Sequence, residues 1–139
     1  MNTYSVEWGG WDDLGRATVS NVADLDAVLD QVATDAEGHP YKIGIFADGV
    51  TFDSLPVGVE VVVGLSDRSS VLYLGPEGAN IGYDPTLPAW ENGLVWVNAN
   101  GVPTDYDADR LRLTPEQARE AAREFVRTGK RPTNVQWDE

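Results

Sequence analysis

The stretch "TPEQAREAAREFVRTGKRPTNVQW", residues 114–137, contains the clearest helix boundary of the chain. Thr114 can act as the N-cap, because its hydroxyl can accept a hydrogen bond from a backbone N–H of the first turn. Pro115 stands at the first helical position, where a missing N–H is harmless, and Gln117 stands at the capping-box position. These residues predict a helix that begins at Pro115.

The end of this helix is also marked in the sequence. Gly129 supplies a left-handed C-cap, and Pro132 prevents the helix from continuing. The following "TNVQW" is predicted as a last strand that ends at Trp137. We expect the indole of Trp137 to seal this strand against the helix, which makes it a structural residue.

One narrow face of the predicted helix is apolar. Small or apolar residues recur there at spacings of three and four, while charged residues gather on the opposite face. Alanines on the apolar face permit close packing, so we expect the helix to lie on a sheet. The predicted packing face consists of Ala118, Ala121, Ala122, Phe125 and Val126.

Positive charge is concentrated in and just after this helix. Arg123 and Arg127 are at helical spacing from glutamates of the same helix, and Lys130 and Arg131 follow its C-terminus, where the helix dipole favours cations. We therefore interpret these cations as structural complements of nearby negative charge.

The preceding residues predict a sheet and one further helix. "TYSVEW" and "GRATVS" flank a "GGWDD" turn and are predicted to form a hairpin, with "TYSVEW" at the edge of the sheet. Asn21 can cap an amphipathic helix that ends near Gly38. Further strands are predicted at "YKIGIF", "VGVEVVVGL", "SSVLYLG", "NIGY" and "GLVWVN", with "VGVEVVVGL" central, whereas "ANGVPTDYDADRLRL" is predicted as a loop. The fold class is therefore α+β: a mainly antiparallel sheet of about five to seven strands with two amphipathic helices packed on it.

The composition indicates one globular domain, which we expect to span residues 1–139. The chain is 42% hydrophobic and long enough to bury a core without a metal or a disulfide. It contains no Cys, which excludes disulfides, thiolate nucleophiles and Cys-based metal sites. No signal-peptide pattern and no apolar run of membrane-spanning length occurs. We expect a cytoplasmic protein that does not associate with a membrane.

The net charge of −13 is unevenly distributed. Residues 1–109 hold eighteen acidic and three basic residues, whereas residues 110–139 hold five acidic and seven basic ones. Most of the surface should therefore carry a negative field, which repels nucleic acids and attracts cationic partners. We expect a basic protein partner and no direct binding to nucleic acid.

One acidic run has the spacing of a calcium loop. In "DYDADRLRLTPE", Asp105, Asp107, Asp109 and Glu116 occupy positions 1, 3, 5 and 12 of an EF-hand-type loop. Arg110 stands where that loop requires Gly, and Glu116 suits the first turn of its own helix. We prefer a solvated acidic loop without a bound metal, and a cation site at these four residues stays open as an alternative.

The sequence offers little that indicates catalysis. His39 is the single histidine and precedes a proline in a predicted turn, and neither a Gly-x-Ser-x-Gly nucleophile motif nor a phosphate-binding loop occurs. A small hydrolase that uses a pair of carboxylates near His39 is the alternative from another class. We expect a protein that is not an enzyme and has no cofactor.

Aromatic residues stand beside carboxylates near several predicted turns. This combination suits a basic protein surface, because aromatic anchors supply contact energy and acidic groups steer the encounter. Trp8 and Trp96 fall on predicted strands and are expected in the core. The predicted partner-binding residues are Trp11, Asp48, Asp53, Asp84, Trp90 and Glu91.

The segment "AAREFVRTGKRPTNVQW" resembles the C-terminal signature of a family of bacterial immunity proteins from polymorphic toxin systems. "DRSSVLYLGPEG" resembles the central hairpin of that family, and the similarity covers residues 60–137 and, more loosely, the first helix. The resemblance implies a single immunity-type α+β domain that neutralises a secreted toxin, often a nucleic-acid deaminase, by binding it. The signature residues, which we expect to be structural, are Phe125, Gly129, Arg131, Pro132, Val135 and Trp137.

Charge and resemblance lead to one mechanism. A toxin that acts on DNA or RNA needs a positive groove for phosphates, and an acidic inhibitor can occupy that groove. We expect a monomer or weak dimer that occludes the active-site cleft of a basic cognate toxin. A calcium-dependent interaction module and an interaction domain without a toxin partner are further alternatives.

Overall fold

A computed structural model describes residues 3–9, 14–35, 41–47, 57–63, 68–75, 78–88, 95–99, 102–106 and 111–138. Within these ranges the chain forms nine strands and two helices. They are β1 (Tyr4–Gly9), β2 (Leu14–Val19), α1 (Val22–Asp35), β3 (Tyr41–Ala47), β4 (Gly58–Val63), β5 (Val71–Gly75), β6 (Gly78–Tyr83), β7 (Val95–Ala99), β8 (Val102–Tyr106), α2 (Pro115–Thr128) and β9 (Gln136–Trp137).

Seven strands form a continuous antiparallel sheet in the order β2-β1-β3-β4-β5-β6-β9. β7 and β8 pair with each other as an antiparallel hairpin and join the sheet where Tyr41 of β3 pairs with Asn98 of β7 in parallel. β4 lies in the middle of the seven. The structure therefore confirms the α+β fold class, the mainly antiparallel sheet and the central position of "VGVEVVVGL".

Two predictions about strands are wrong. β1, the "TYSVEW" segment, is not at the edge, because Tyr4 pairs with Val19 of β2 on one side and with Ala47 of β3 on the other. Alternation along a strand shows only that one of its faces is buried, and it does not show how many neighbours the strand has. The predicted loop "ANGVPTDYDADRLRL" contains β8, in which Pro103 pairs with Asn98. A proline is tolerated in β8 because no further strand pairs with the outer side of β8 within the described ranges.

Both ends of α2 are as predicted. Thr114 has extended backbone angles, and its hydroxyl accepts a hydrogen bond from the N–H of Gln117 at 3.1 Å. The side-chain oxygen of Gln117 accepts from the N–H of Thr114 at 2.8 Å, which completes the capping box. Gly129 adopts left-handed angles (φ 71°, ψ 12°) and donates its N–H to the Phe125 carbonyl at 2.7 Å.

α1 begins where the sequence predicts. The side-chain oxygen of Asn21 accepts from the N–H of Asp24 at 2.8 Å, as an N-cap does. The helix is described as far as Asp35, so the predicted end near Gly38 lies outside the described residues. Within those residues, neither helix has the length and apolar character needed to cross a membrane.

Both helices pack on the same face of the sheet and form the core with it. Alternate residues of the strands point into this layer, as the twofold repeat of a strand requires. The predicted packing face of α2 is buried, from Ala118 to Val126. Trp8 and Trp137 are partly buried and pack against the core, whereas the side chain of Trp96 lies outside the description. Fully buried core residues include Tyr4, Val6, Leu25, Leu29, Ile43, Ile45, Val59 and Phe125.

Candidate functional site

One of the six predicted partner-binding residues, Asp84, lies within the described part of the chain. The other five lie outside it: Trp11, Asp48, Asp53, Trp90 and Glu91. His39, the centre of the alternative hydrolase hypothesis, also lies outside it. For these residues the placement on a binding surface stays a prediction.

The described strand ends show where the acidic segments attach to the sheet. Adjacent strands from β1 to β6 in the sheet are antiparallel. The last residues of β1 and of β6 therefore lie at the same end of the sheet as the first residue of β3. The segment with Trp11 therefore leaves the sheet at the same end as Asp84. Residues 48–56 join the end of β3 to β4 and thus attach at the opposite end of the sheet. Predicted partner-binding residues consequently follow strand ends at both ends of the sheet.

Asp84 terminates β6 and ties it to α2. One of its carboxylate oxygens accepts from the N–H and the hydroxyl of Thr86, at 2.8 and 2.7 Å. The other accepts from the side-chain amide of Gln117 at 2.6 Å. Gln117 thus uses its oxygen for the capping box and its amide hydrogens for Asp84. The carboxylate has a structural use in addition to any contact with a partner.

The surroundings of Asp84 favour its charged form. The hydrogen bond from Gln117 lowers the pKa of the carboxyl most, the bonds from Thr86 lower it further, and the positive charge of Arg112 adds to this. Arg112 lies over the ring of Tyr83, 5.1 Å from its centroid, and donates Nε to the Leu87 carbonyl at 3.0 Å. A carboxyl with a lowered pKa is ionised at neutral pH, so Asp84 is unsuited to the role of a general acid.

A shallow polar cleft of about 160 Å³ lies beside Asp84. Tyr83 and Gln117 line one part of it, and residues 133–136, between α2 and the end of β9, line another. The sequence prediction missed Gln117 as a partner of Asp84. A signal for it was present, because a capping-box glutamine uses only its oxygen and leaves two amide hydrogens in need of an acceptor.

Arginines of α2 bind a glutamate of their own helix, as predicted, and also acids of α1, which the sequence did not indicate. Arg123 contacts Asp26 of α1 at 2.9 Å and Glu120 at 3.3 Å, and Arg127 contacts Glu120 at 2.6 Å. The hydrogen bond to Asp26 is the largest cause that raises the pKa of Arg123, and the bond from Arg127 is the largest cause that lowers the pKa of Glu120. Arg119 pairs with Asp30 of α1 at 2.6 Å. Arg119 and Arg123 thus join α2 to α1, whereas the ion pair of Arg127 lies within α2.

The residues of the proposed calcium loop belong to different elements. Asp105 lies in β8, opposite Trp96, so a strand stands where an EF-hand has its entering helix. Glu116 is in the first turn of α2 and lies 3.5 Å from Arg123. Asp107 and Asp109 lie outside the described residues. Within the described ranges, no group of three or more His, Asp or Glu residues is arranged to hold a metal ion.

Residues 14–139 match the family described as immunity protein Imm1. The matched region contains both helices and every strand except β1. The chain belongs to the Imm1 immunity protein family. This confirms the resemblance seen in the sequence, and it extends the similarity upstream of residue 60. A search of curated proteins gives no match.

Membership of the Imm1 family defines the general function of the chain. It is an immunity protein, and its partner is a cognate toxin protein. The residues expected from the sequence resemblance to be structural lie in and after α2. Phe125 is fully buried, Gly129 forms the C-cap, and the Pro132 carbonyl accepts from the indole N–H of Trp137 at 2.8 Å. Arg131 lies over that indole, 5.7 Å from the ring centroid.

Proposed function

We propose that this Imm1 protein acts in the cytoplasm on a toxin that modifies nucleic acid, a deaminase or a nuclease. It neutralises the toxin by occupying the active-site cleft with an acidic surface that carries aromatic anchors. The inhibitor is not an enzyme, and its effect depends on occlusion of the cleft.

The distribution of charge carries this proposal. Ten of the 23 acidic residues, but only one of the ten basic residues, lie in the segments that join the described ranges. Within those ranges, by contrast, basic residues are repeatedly paired with acids, as Arg16 is with Glu7 and Lys42 with Glu60. The unbalanced negative charge therefore belongs to the segments that join strands and helices. A cleft that binds phosphates is positive, so segments of this charge are attracted to it.

Aromatic residues in the same segments supply the anchors. Trp11 precedes Asp12 and Asp13, and Trp90 precedes Glu91. Trp is enriched among the residues that carry most of the energy of protein interfaces, especially where surrounding contacts exclude water. An indole next to carboxylates combines such a contact with attraction to a basic surface.

The proposal is tested with the purified domain of the cognate toxin. Its activity on single- and double-stranded nucleic acid is measured with increasing amounts of the inhibitor, at low and at high ionic strength. We expect stoichiometric inhibition at low salt and a slower association with a weaker affinity at high salt. Full toxin activity in excess inhibitor at low salt would contradict the proposal.

A pair of charge-matched variants locates the effect. Glu91→Gln removes a charge from a predicted contact, and Asp30→Asn removes one from α1, where the Asp30 side chain is 69% exposed. We expect weaker inhibition for Glu91→Gln and little change for Asp30→Asn. Equal effects of the two variants would show that only the total charge matters.

A further inference from the structure

The face of the sheet opposite the helices, which we call the open face, carries adjacent apolar side chains. One row across this face consists of Phe46 of β3, Gly58 of β4, Leu74 of β5 and Ala79 of β6, each paired with the next in the strand register. In the next row, Leu72 of β5 lies opposite Ile81 of β6 and Glu60 of β4. None of these side chains belongs to the core that the helices cover. The apolar residues Phe46, Leu72, Leu74 and Ile81 are partly exposed.

Phe46 lies flat on the open face. A methyl group on Gly44 would overlap the ring edge of Phe46, and one on Gly58 would come within 2.7 Å of Cδ1 of that ring. The ring therefore covers two glycines, one on its own strand and one on the neighbouring strand. An aromatic ring held in this way loses little further freedom when a partner covers it.

Two ion pairs lie on the described part of the open face. Lys42 contacts Glu60 at 2.8 Å, and Arg16 contacts Glu7 at 2.5 Å. The charges of these four residues sum to zero, although the whole chain carries a net charge of −13. An apolar centre with a polar rim is the usual composition of the middle of a protein interface.

We infer that the open face docks an apolar surface of the cognate toxin, between the two acidic ends of the sheet. The toxin is chosen over a second copy because two copies would each bring a charge of −13, and like charges oppose association. The acidic segments 10–13 and 48–56 attach at opposite ends of the strands that form this face. A basic toxin is attracted by both ends while its apolar surface covers the centre. The inference rests on the proposed function for the charge of the toxin.

The test places a positive charge in the centre of the open face. Leu74→Lys is compared with Gln31→Lys, which makes the same change of charge at an exposed position of α1. Affinity for the purified toxin domain is measured by titration calorimetry at one ionic strength, and the fold is checked by circular dichroism. We expect Leu74→Lys to bind at least a hundredfold more weakly than the native protein, and Gln31→Lys to bind within a few fold of it.

Leu74→Thr introduces a β-branched residue, which suits a strand, and provides a second variant if Leu74→Lys does not fold. We expect it to bind at least tenfold more weakly than the native protein. Native-like affinity of a folded Leu74→Lys or Leu74→Thr protein overturns the inference, while inhibition by the native protein would still support the proposed function. Sedimentation of the native protein as a dimer that Leu74→Lys converts to a monomer would also overturn it, in favour of a second copy.

Discussion

The indole of Trp137 stands edge-on to the ring of Tyr73, with 6.1 Å between their centroids. Tyr73 stands edge-on to Phe125 at 6.5 Å, and Phe125 to Tyr4 at 5.3 Å. This row of four rings links β9, β5, α2 and β1. Edge-to-face contacts add to the free energy of burial, so side chains hold the last strand to the core in addition to its two-residue ladder.

Trp137→Ala should lower the free energy of unfolding by about 2–3 kcal/mol, somewhat less than for a fully buried Trp. Trp137→Phe keeps the contact with Tyr73 and loses the hydrogen bond to Pro132, so its loss should be about 1 kcal/mol. Urea unfolding followed by circular dichroism measures both. An unchanged midpoint for Trp137→Ala would show that the indole is free to contact the toxin.

Gly129→Ala should destabilise the protein by about 1 kcal/mol, because a left-handed residue (φ 71°) with a Cβ is strained. The added methyl would lie 3.4 Å from the Tyr4 hydroxyl, an ordinary contact, so the backbone and not a clash causes the loss. Gly129→Asn serves as the control, since Asn tolerates this conformation better. Equal losses for the two variants would argue against a conformational cause.

The parts of the fold that depend on nearby residues were predictable from the sequence. Thr114 and Gln117 form the capping box, and Gly129 the C-cap, through hydrogen bonds that span three or four residues. The position of β1 inside the sheet was not predictable, because its second neighbour, β3, is distant in sequence. The hydrogen bond between Asp84 and Gln117 was not predictable either, because the two residues are 33 positions apart in the sequence. Sequence identified Asp84 as an acid near a turn but could not show which donors its oxygens bind.

Asp84→Asn should reduce the dependence of stability on pH in the acid range. The pKa of Asp84 is lowered in the folded state from its ordinary value of 3.8. Its contribution is therefore complete above that value and is lost as the pH falls through the lower folded pKa. The free energy of unfolding, measured by urea titration from neutral to acid pH, should fall less steeply in the variant. Parallel curves for the two proteins would show that the ionisation of Asp84 adds nothing to stability.

Arg123→Met should cost about 1 kcal/mol, because Arg123 joins α2 to Asp26 of α1 and only 22% of its side chain is exposed. Arg127→Met is the matched control: its side chain is 50% exposed and its ion pair with Glu120 lies within its own helix, so we expect a loss near zero to about 0.5 kcal/mol. A double-mutant cycle with Asp26→Asn isolates the contact between the helices. A coupling energy of zero would show that the ion pair does not hold them together.

The flat position of Phe46 predicts a specific rescue. The three atoms nearest to a methyl group at Gly44 would all belong to the Phe46 ring, whereas the atom nearest to one at Gly58 would be the backbone carbonyl oxygen of Ile45. We expect Gly44→Ala to cost about 1 kcal/mol and Gly58→Ala about 2–3 kcal/mol, since a ring can turn aside but a paired strand cannot. In a Phe46→Ala background the cost of Gly44→Ala should disappear, while most of the cost of Gly58→Ala should persist. Urea unfolding of the native protein, Phe46→Ala, the two glycine variants and the two double variants gives these differences, and a full cost of Gly44→Ala without Phe46 would show that the ring does not lie on this glycine.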